Sequence, residues 1–353
     1  MKMKSLKNKL LRRKPEHQPP SRITNETVAE HRERILAGGR KFKYPVQYAR
    51  HKLVINTILI SLGVVILLVI VGWWQLYPAQ NTSNFVYRLT QIIPLAVAEV
   101  DGQPVRYSDY LMRYRSSMHF LQQQNQINLN SKDGTRQVEH VKRQSLDEAV
   151  ANAYATKLAQ ENDVKVTSEE IDAFIKKERQ SQKSTLSEEA FESVVLKGFY
   201  DWSVDEYRDV VGDNLLRRHV AFAVDKKARK TVDTALQELK KGAKFSKVVA
   251  KYSSDTITKA NGGDVGFVPK NTQDPNGLVA AARKLKKHST SGVITGIDGY
   301  YLVKLIDSND TQVRYARLRV ALGEFERKLK AVKADGKVKE YIDVPELTKQ
   351  TQR

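Results

Sequence analysis

Two short stretches hold the residue types that could do chemistry. In FSKVVAKYSSDTITKANGGDVGF, residues 245–267, a carboxylate at Asp255 follows Ser253 and Ser254. A glycine pair, Gly262 and Gly263, then precedes Asp264, Val265, Gly266 and Phe267. In LKKHSTSGVITGIDGYYLVKL, residues 285–305, Gly299 leads into Tyr300 and Tyr301. Ser and Asp side chains compete for backbone hydrogen bonds and favour turns. Glycines allow positive φ and a close backbone approach where a strand begins. A tyrosine hydroxyl can donate a hydrogen bond. There are no cysteines, which removes thiolate nucleophiles, disulfides and Cys-type zinc sites. The histidines and carboxylates show no metal-ligand spacing, no loop cradles a phosphate, and no Ser/His/Asp set stands out. Neither a metal nor a cofactor is expected. Asp255 reads equally as a turn residue that accepts backbone N–H bonds.

The elements that must position these residues are legible from periodicity. Phe245, Val248, Val249 and Tyr252 recur at helical spacing and predict a helix ending at residues 253–255. A second helix is expected over 225–241, with Ala228, Val232, Ala235, Leu236 and Leu239 inward and Gly242 as its stop. Upstream, AVAEVDGQPV at 96–105 reads as a hairpin turning at Asp101-Gly102. Helices are expected over about 108–121 and 138–162, separated by a polar loop. Further helix starts lie at Thr167 or Ser168, at Ser187 and at Ser203.

The first stretch resembles the parvulin family of peptidyl-prolyl isomerases, whose pattern runs F-a-x-x-A-x-x-Y-S-x-D, six residues, then G-G-D-L-G. Val265 stands for the usual Leu. The second resembles the family's ending: Ser291, Gly292, Val293, Gly299 and Tyr300 fall in place, and Tyr301 stands where a histidine is usual. The resemblance implies a site in which Asp255 and Tyr301 are the catalytic polar groups and Val265, Phe267, Leu278 and Arg317 meet the substrate. Leu278 fits one residue out of register, and Arg283 replaces a usual Phe. Parvulins begin their sheet with V-R-A-R-H-I-L-V. Residues 217–224 and residues 313–320 both offer this strand; the latter aligns without gaps and is favoured. It would make the sheet circularly permuted and put Arg317 in a histidine's place, leaving His219 on a helix. The order of motifs over 96–224 resembles the N-terminal chaperone module of SurA/PrsA-type foldases.

Residues 53–76 carry no formal charge, enough to cross a bilayer of about 30 Å. Trp73, Trp74 and Tyr77 flank one end. The 52 residues before it hold 15 Lys/Arg against 4 Glu. Positive-inside orientation then places this tail in the cytoplasm and the remainder outside. The tail's cations could also lie on anionic lipid. A nucleic-acid partner is not expected, because topology already explains the basic cluster.

The expected fold class is α+β. It comprises a basic cytoplasmic tail (1–52), a single N-terminal transmembrane helix (53–76), a linker (77–95), a mostly helical SurA-like chaperone domain (96–224), a small parvulin-like antiparallel sheet with surrounding helices (225–325) and a C-terminal extension (326–353). The resemblance implies a single-pass, membrane-anchored extracytoplasmic foldase for exported proteins with peptidyl-prolyl isomerase activity. The alternatives are a non-enzymatic chaperone and a partner-specific envelope scaffold on the same fold. Its partners would be unfolded or newly exported polypeptides, proline-containing segments and the membrane, with a homodimer also open.

Overall fold

A computed structural model of the chain describes residues 23–43, 45–124, 128–129, 131–181 and 187–346. Much of the basic tail read from the sequence, residues 1–22, lies outside the described residues. The chain divides into two compact units, residues 1–72 and 73–353.

The first unit is helical. Helix α1 spans Asn25–Lys43, and α2 begins at Pro45 and runs on to Leu76. Residues 51–76 have a mean hydropathy of 3.0 and none of that window is buried, so by length and composition the helix is able to cross a membrane.

The second unit holds three hydrophobic cores. The first is mainly helical. Residues 77–95, expected as a linker, contain α3 (Asn84–Ile92), whose Val86, Tyr87 and Thr90 are buried. The hairpin follows as β1 (Ala96–Val100) and β2 (Gln103–Arg106). Its turn places Asp101 at φ 47° and Gly102 at φ 85°, the left-handed pair that a two-residue hairpin loop needs. Helix α4 (Tyr107–Gln124) and α5 (Lys132–Glu161) come next. Tyr107, Tyr110 and Tyr114 recur on one face of α4 and extend a ladder of rings that starts at Tyr77, with centroids 5.9–6.0 Å apart. The hydroxyl of Tyr107 donates to the Leu76 carbonyl at 2.6 Å, and that of Tyr77 to the Ala96 carbonyl at 2.8 Å. Helix α6 (Ser168–Ser181), a single turn α7 (Glu188–Ala190), a π-helix (Phe191–Tyr200) and α8 (Val204–Val224) complete this part. Ser203 caps α8 in a reciprocal box with Glu206.

Residues 217–224 are the last turns of α8, so they supply no strand. Nothing interrupts the helix before Asp225, which ends α8 and starts α9 (Lys226–Lys240). Helix α10 (Phe245–Tyr252) leads to a 3₁₀ turn and β3 (Asp264–Pro269), then α11 (Leu278–Arg283), β4 (Ile294–Thr295), β5 (Gly299–Ser308) and β6 (Gln312–Ala321). These strands form an antiparallel sheet ordered β3-β6-β5-β4. Thus β6 is interior, paired with β5 through a tight hairpin and with β3 on its other side. Its Leu318 is fully buried between α9, α10 and the sheet.

Beyond the sheet, α12 (Glu324–Ala334) and β7 (Val338–Glu340) return to the first core. Phe325, Leu329, Val332, Ile342 and Val344 are buried there, and β7 pairs with β1. The return is fixed by Asp225, which is 5 % exposed. One carboxylate oxygen accepts from the Ala228 amide at 2.8 Å and caps α9. The other accepts from Gly323 at 2.8 Å and Glu324 at 3.1 Å, at the start of α12. A helix cap contributes about 0.5–2 kcal/mol, so Asp225→Ala, which removes two, is expected to cost about 1–4 kcal/mol. Urea midpoints at constant slope measure this; a change below about 0.5 kcal/mol, the size of an ordinary surface substitution, would show that the double cap is dispensable.

Candidate functional site on one face of the β3–β6–β5–β4 sheet

Strand alternation sorts the side chains of β5 and β6 onto two faces. Tyr300 and Leu302 join Ala316, Leu318 and Val320 against α9 and α10. Tyr301, Val303 and Leu305 join Val313 and Tyr315 on the opposite face, with Leu278, Val279 and Ala282 of α11 over them. Arg317 and Arg319 continue the Tyr315 side of β6. Register sets Arg319 opposite Tyr301 and Arg317 opposite Val303. The sheet face therefore ends in two guanidinium groups and a phenol.

The turn after α10 brings Asp255 to the same strand. The Ser254 amide donates to the Arg319 carbonyl at 2.8 Å, and the Ser253 hydroxyl accepts from the Arg319 amide at 3.3 Å. Asp255 is 5 % exposed. It accepts from Arg317 Nε at 2.7 Å, from the Thr258 hydroxyl at 2.7 Å and from the Ile257 amide at 3.2 Å. Burial works against the charged form, but the hydrogen bonds from Arg317 and Thr258 outweigh it and hold the carboxyl below its ordinary value. The glycine pair is needed where it stands. Gly263 has φ 90°, its carbonyl accepts from the Arg317 amide at 2.8 Å, and a Cβ there would collide with the Arg317 carbonyl.

Tyr301 heads a second network. It is 3 % exposed, its hydroxyl donates to Asp298 at 2.6 Å, and Asn276 approaches the same oxygen at 3.3 Å. Asp298 in turn pairs with Arg319 at 2.6 Å. Burial first, then the hydrogen bond to Asp298, push the phenol well above its usual value, so it stays protonated. Gly296 makes room for this contact, since a Cβ there would overlap both Asn276 and the Tyr301 ring. Arg319 Nε is buried without a partner.

Of the residues singled out in the sequence, Asp255, Arg317, Tyr301, Leu278 and Val265 gather along this face. Leu278 is 1 % exposed and lies within the core that α11 forms with this face. Phe267 is not brought in. A bulge at Gly266, φ 83°, turns Val265 and Val268 to the same core. Phe267 is left 46 % exposed beside the Arg314 guanidinium, 5.9 Å from the ring centre. Arg283 is exposed, its guanidinium donating to the Lys270 carbonyl. Sequence reasoning missed Arg319, Asp298 and Asn276. The signal for Arg319 was available: two residues after Arg317 in a strand, it had to share that face.

A family model described as the SurA-like N-terminal domain matches residues 47–221, and one described as the PPIC-type PPIASE domain matches residues 219–307. The chain carries a SurA-like N-terminal domain followed by a PPIC-type rotamase domain. It is similar to the "Foldase protein PrsA" of Caldanaerobacter subterraneus subsp. tengcongensis, 27 % identical, the match covering 48 % of this chain and 58 % of that protein. It is also similar to the "Chaperone SurA" of Burkholderia lata, 32 % identical over 31 % of this chain and 26 % of that one. The chain thus matches less than two thirds of either relative's length. The crystal structure of PrsA from Bacillus subtilis overlaps 58 % of this chain and 80 % of that one at 18 % identity, with a TM-score of 0.21, too low to carry an argument. The PPIC-type match stops before β6, the strand that pairs with both β3 and β5 of the same sheet.

The charge pair at the end of the sheet predicts a pH dependence. Asp255 has a lowered pKa in the folded chain. Its contribution to stability is therefore complete above the unfolded aspartate value of about 3.9 and is lost as pH falls through the lower folded value. Arg317→Met should raise the Asp255 midpoint, read by carboxyl NMR, and start acid destabilisation at a higher pH. An unchanged midpoint would show that Thr258 and the backbone suffice.

Proposed function

We propose that this chain is a membrane-anchored extracytoplasmic foldase whose sheet face isomerises X–Pro bonds. The reading rests on one observation above all. The PPIC-type match covers β3, α11, β4 and nearly all of β5, and β6 beyond it completes a sheet on one side of which Tyr301, Leu278 and Val265 pack together, closed at one end by the Asp255–Arg317 pair.

Rotation about an amide must overcome about 18–20 kcal/mol, most of it lost resonance. No bond breaks, so the protein has only to favour the twisted state over the planar ones. In the twisted state the nitrogen recovers a lone pair and can accept a hydrogen bond. The buried, unpartnered Arg319 Nε–H is the donor left free on this face, while the protonated Tyr301 hydroxyl gives its hydrogen to Asp298. Asp298 holds both of them. Asp255 holds Arg317 and keeps a second guanidinium beside them. Val265, partly exposed at the edge of the core that holds Leu278, offers apolar surface to a pyrrolidine ring.

A second reading has its own support. Tyr301 is committed to Asp298, and Arg317 to Asp255, so most polar groups of the face are already satisfied. A sheet with its donors occupied suits a chaperone that binds chains without isomerising them.

A proline-limited peptide assay on the full chain in detergent micelles separates the two. Isomerisation should be measurable, and Tyr301→Phe and Asp255→Ala should each lower kcat/KM by about 3- to 100-fold, roughly 0.7–2.7 kcal/mol. Robust activity indifferent to both substitutions would mean that the site lies elsewhere. No activity, with aggregation of denatured clients still suppressed, would favour the chaperone.

Membrane anchoring is supported by the apolar stretch at 51–76 and the 15 Lys/Arg that precede residue 53. Protease added outside intact cells should digest residues beyond 78 and spare the basic tail. Protection of the folded unit would reverse the assigned orientation.

A further inference from the structure

The helical core is bordered by a cleft of about 820 Å³ that the sheet site does not use. Three helices wall it through residues at helical spacing: Arg113 and Phe120 on α4, His140 and Asn152 on α5, Val210 and Arg217 on α8. The remaining wall is aromatic. Tyr200 and Trp202 stack with ring centres 4.5 Å apart and planes 13° from parallel. Their backbone is unusual. The π-helix ends on Asp201, which sits at φ 53°, and the Trp202 amide turns back to the Leu196 carbonyl at 3.1 Å. Lys197 and Arg115 both hold the Asp201 carboxylate in place. Left-handed non-glycine residues cost free energy, and π-helical turns gather at functional sites.

Buried polar atoms in this cleft lack partners. Asn152 is 8 % exposed. Its Nδ2 donates to Asp213 at 2.9 Å, which fixes the amide, and its Oδ1 receives no donor. Trp202 Nε1 has no acceptor, and His140 Nδ1 has no partner. Each such atom costs about 1–3 kcal/mol when buried alone. A ligand that fits must supply both a donor and an acceptor, as a polypeptide backbone does. Phe120 and Tyr200 keep open apolar faces, 41 % and 39 % exposed. Arg113 is engaged by Asp213 at 2.8 Å, but among the described residues no carboxylate pairs with Arg217.

We infer that this cleft binds an extended polypeptide segment in which an aromatic side chain stands next to an acidic one. The ring packs on the Tyr200–Trp202 stack and Phe120, and the carboxylate meets Arg217. The backbone donates to Asn152 Oδ1 and accepts from Trp202 Nε1. The inference rests on the foldase reading for the source of such segments.

The test uses the full chain in detergent micelles and fluorescein-labelled, end-blocked peptides that differ only in Phe-Asp against Phe-Lys. Anisotropy titrations should give the Phe-Asp peptide about tenfold tighter binding, equivalent to about 1.4 kcal/mol. Arg217→Gln should cut that preference to about twofold or less, since it removes the charge that selects. Trp202→Phe should weaken both peptides about threefold and leave the preference intact, since it removes one donor shared by both. Equal binding of the two peptides, or a preference that survives Arg217→Gln, overturns the inference. So does full displacement of the Phe-Asp peptide by millimolar inorganic phosphate, which would make the cleft a simple anion site. Aggregation suppression and the proline-limited assay on the same samples keep the two readings apart. If those activities persist without a peptide preference, only the cleft falls. If the preference persists without those activities, only the foldase reading falls.

Discussion

One buried carboxylate holds the second unit together. Asp225 ends α8, starts α9 and receives the amides that open α12, about a hundred residues later in the chain. Because both of its oxygens are used, the helical core, the sheet and the C-terminal return all meet at one point. The return is necessary for both bodies of structure. It leaves directly from the interior strand β6 of one sheet and supplies the edge strand β7 of the other. It also lends Phe325, Leu329 and Val332 to the helical core. Removing the capping charge would leave two helix starts with unpaired N–H groups, the one at Ala228 buried and the pair at Gly323 and Glu324 nearer to water.

The site inherits its layout from β6. That strand places Arg317 and Arg319 on the face that β5 and α11 line with Tyr301 and Leu278. Each cation then finds an acid from a loop, Asp255 from the turn after α10 and Asp298 from the turn before β5. Such pairing keeps half-buried guanidinium groups from being orphaned and fixes their direction, at the expense of free donors. The cleft in the helical core is built the other way. Three of its polar atoms, on Asn152, His140 and Trp202, have no partner, and its aromatic wall is held by a strained turn. The two places differ in kind, one with its charged groups paired among themselves, the other with unpartnered atoms beside exposed aromatic rings.

Much of this was legible in the sequence. The spacing of Phe245, Val248, Val249 and Tyr252 gave α10, the Asp101-Gly102 turn gave the hairpin, and the ungapped match at 313–320 pointed to β6. Local signals sufficed there because each feature is set by neighbours in sequence. The linker expectation for 77–95 missed that Val86, Tyr87 and Thr90 fit a helical face, since an apolar face that short is conclusive only when its partner is known. Strict alternation would set Phe267 on the side of Val265, and the bulge at Gly266, visible only once φ is seen, turns it away. Asp298, Asn276 and the double role of Asp225 depend on contacts made across 21 to 99 residues, which no local pattern encodes.

The interior position of β6 also orders events during synthesis. A ribosome delivers β3, α11, β4 and β5 first, yet β3 has no neighbour in the sheet until residues 312–321 emerge. Until then Tyr300, Leu302 and Val303 present an unpaired edge of the kind that recruits other strands. The helical core likewise waits for residues up to Val344. A nascent copy of this protein therefore spends most of its own translation as an incomplete chain with exposed apolar surface. Both cores are thus completed only by the last elements of the described chain.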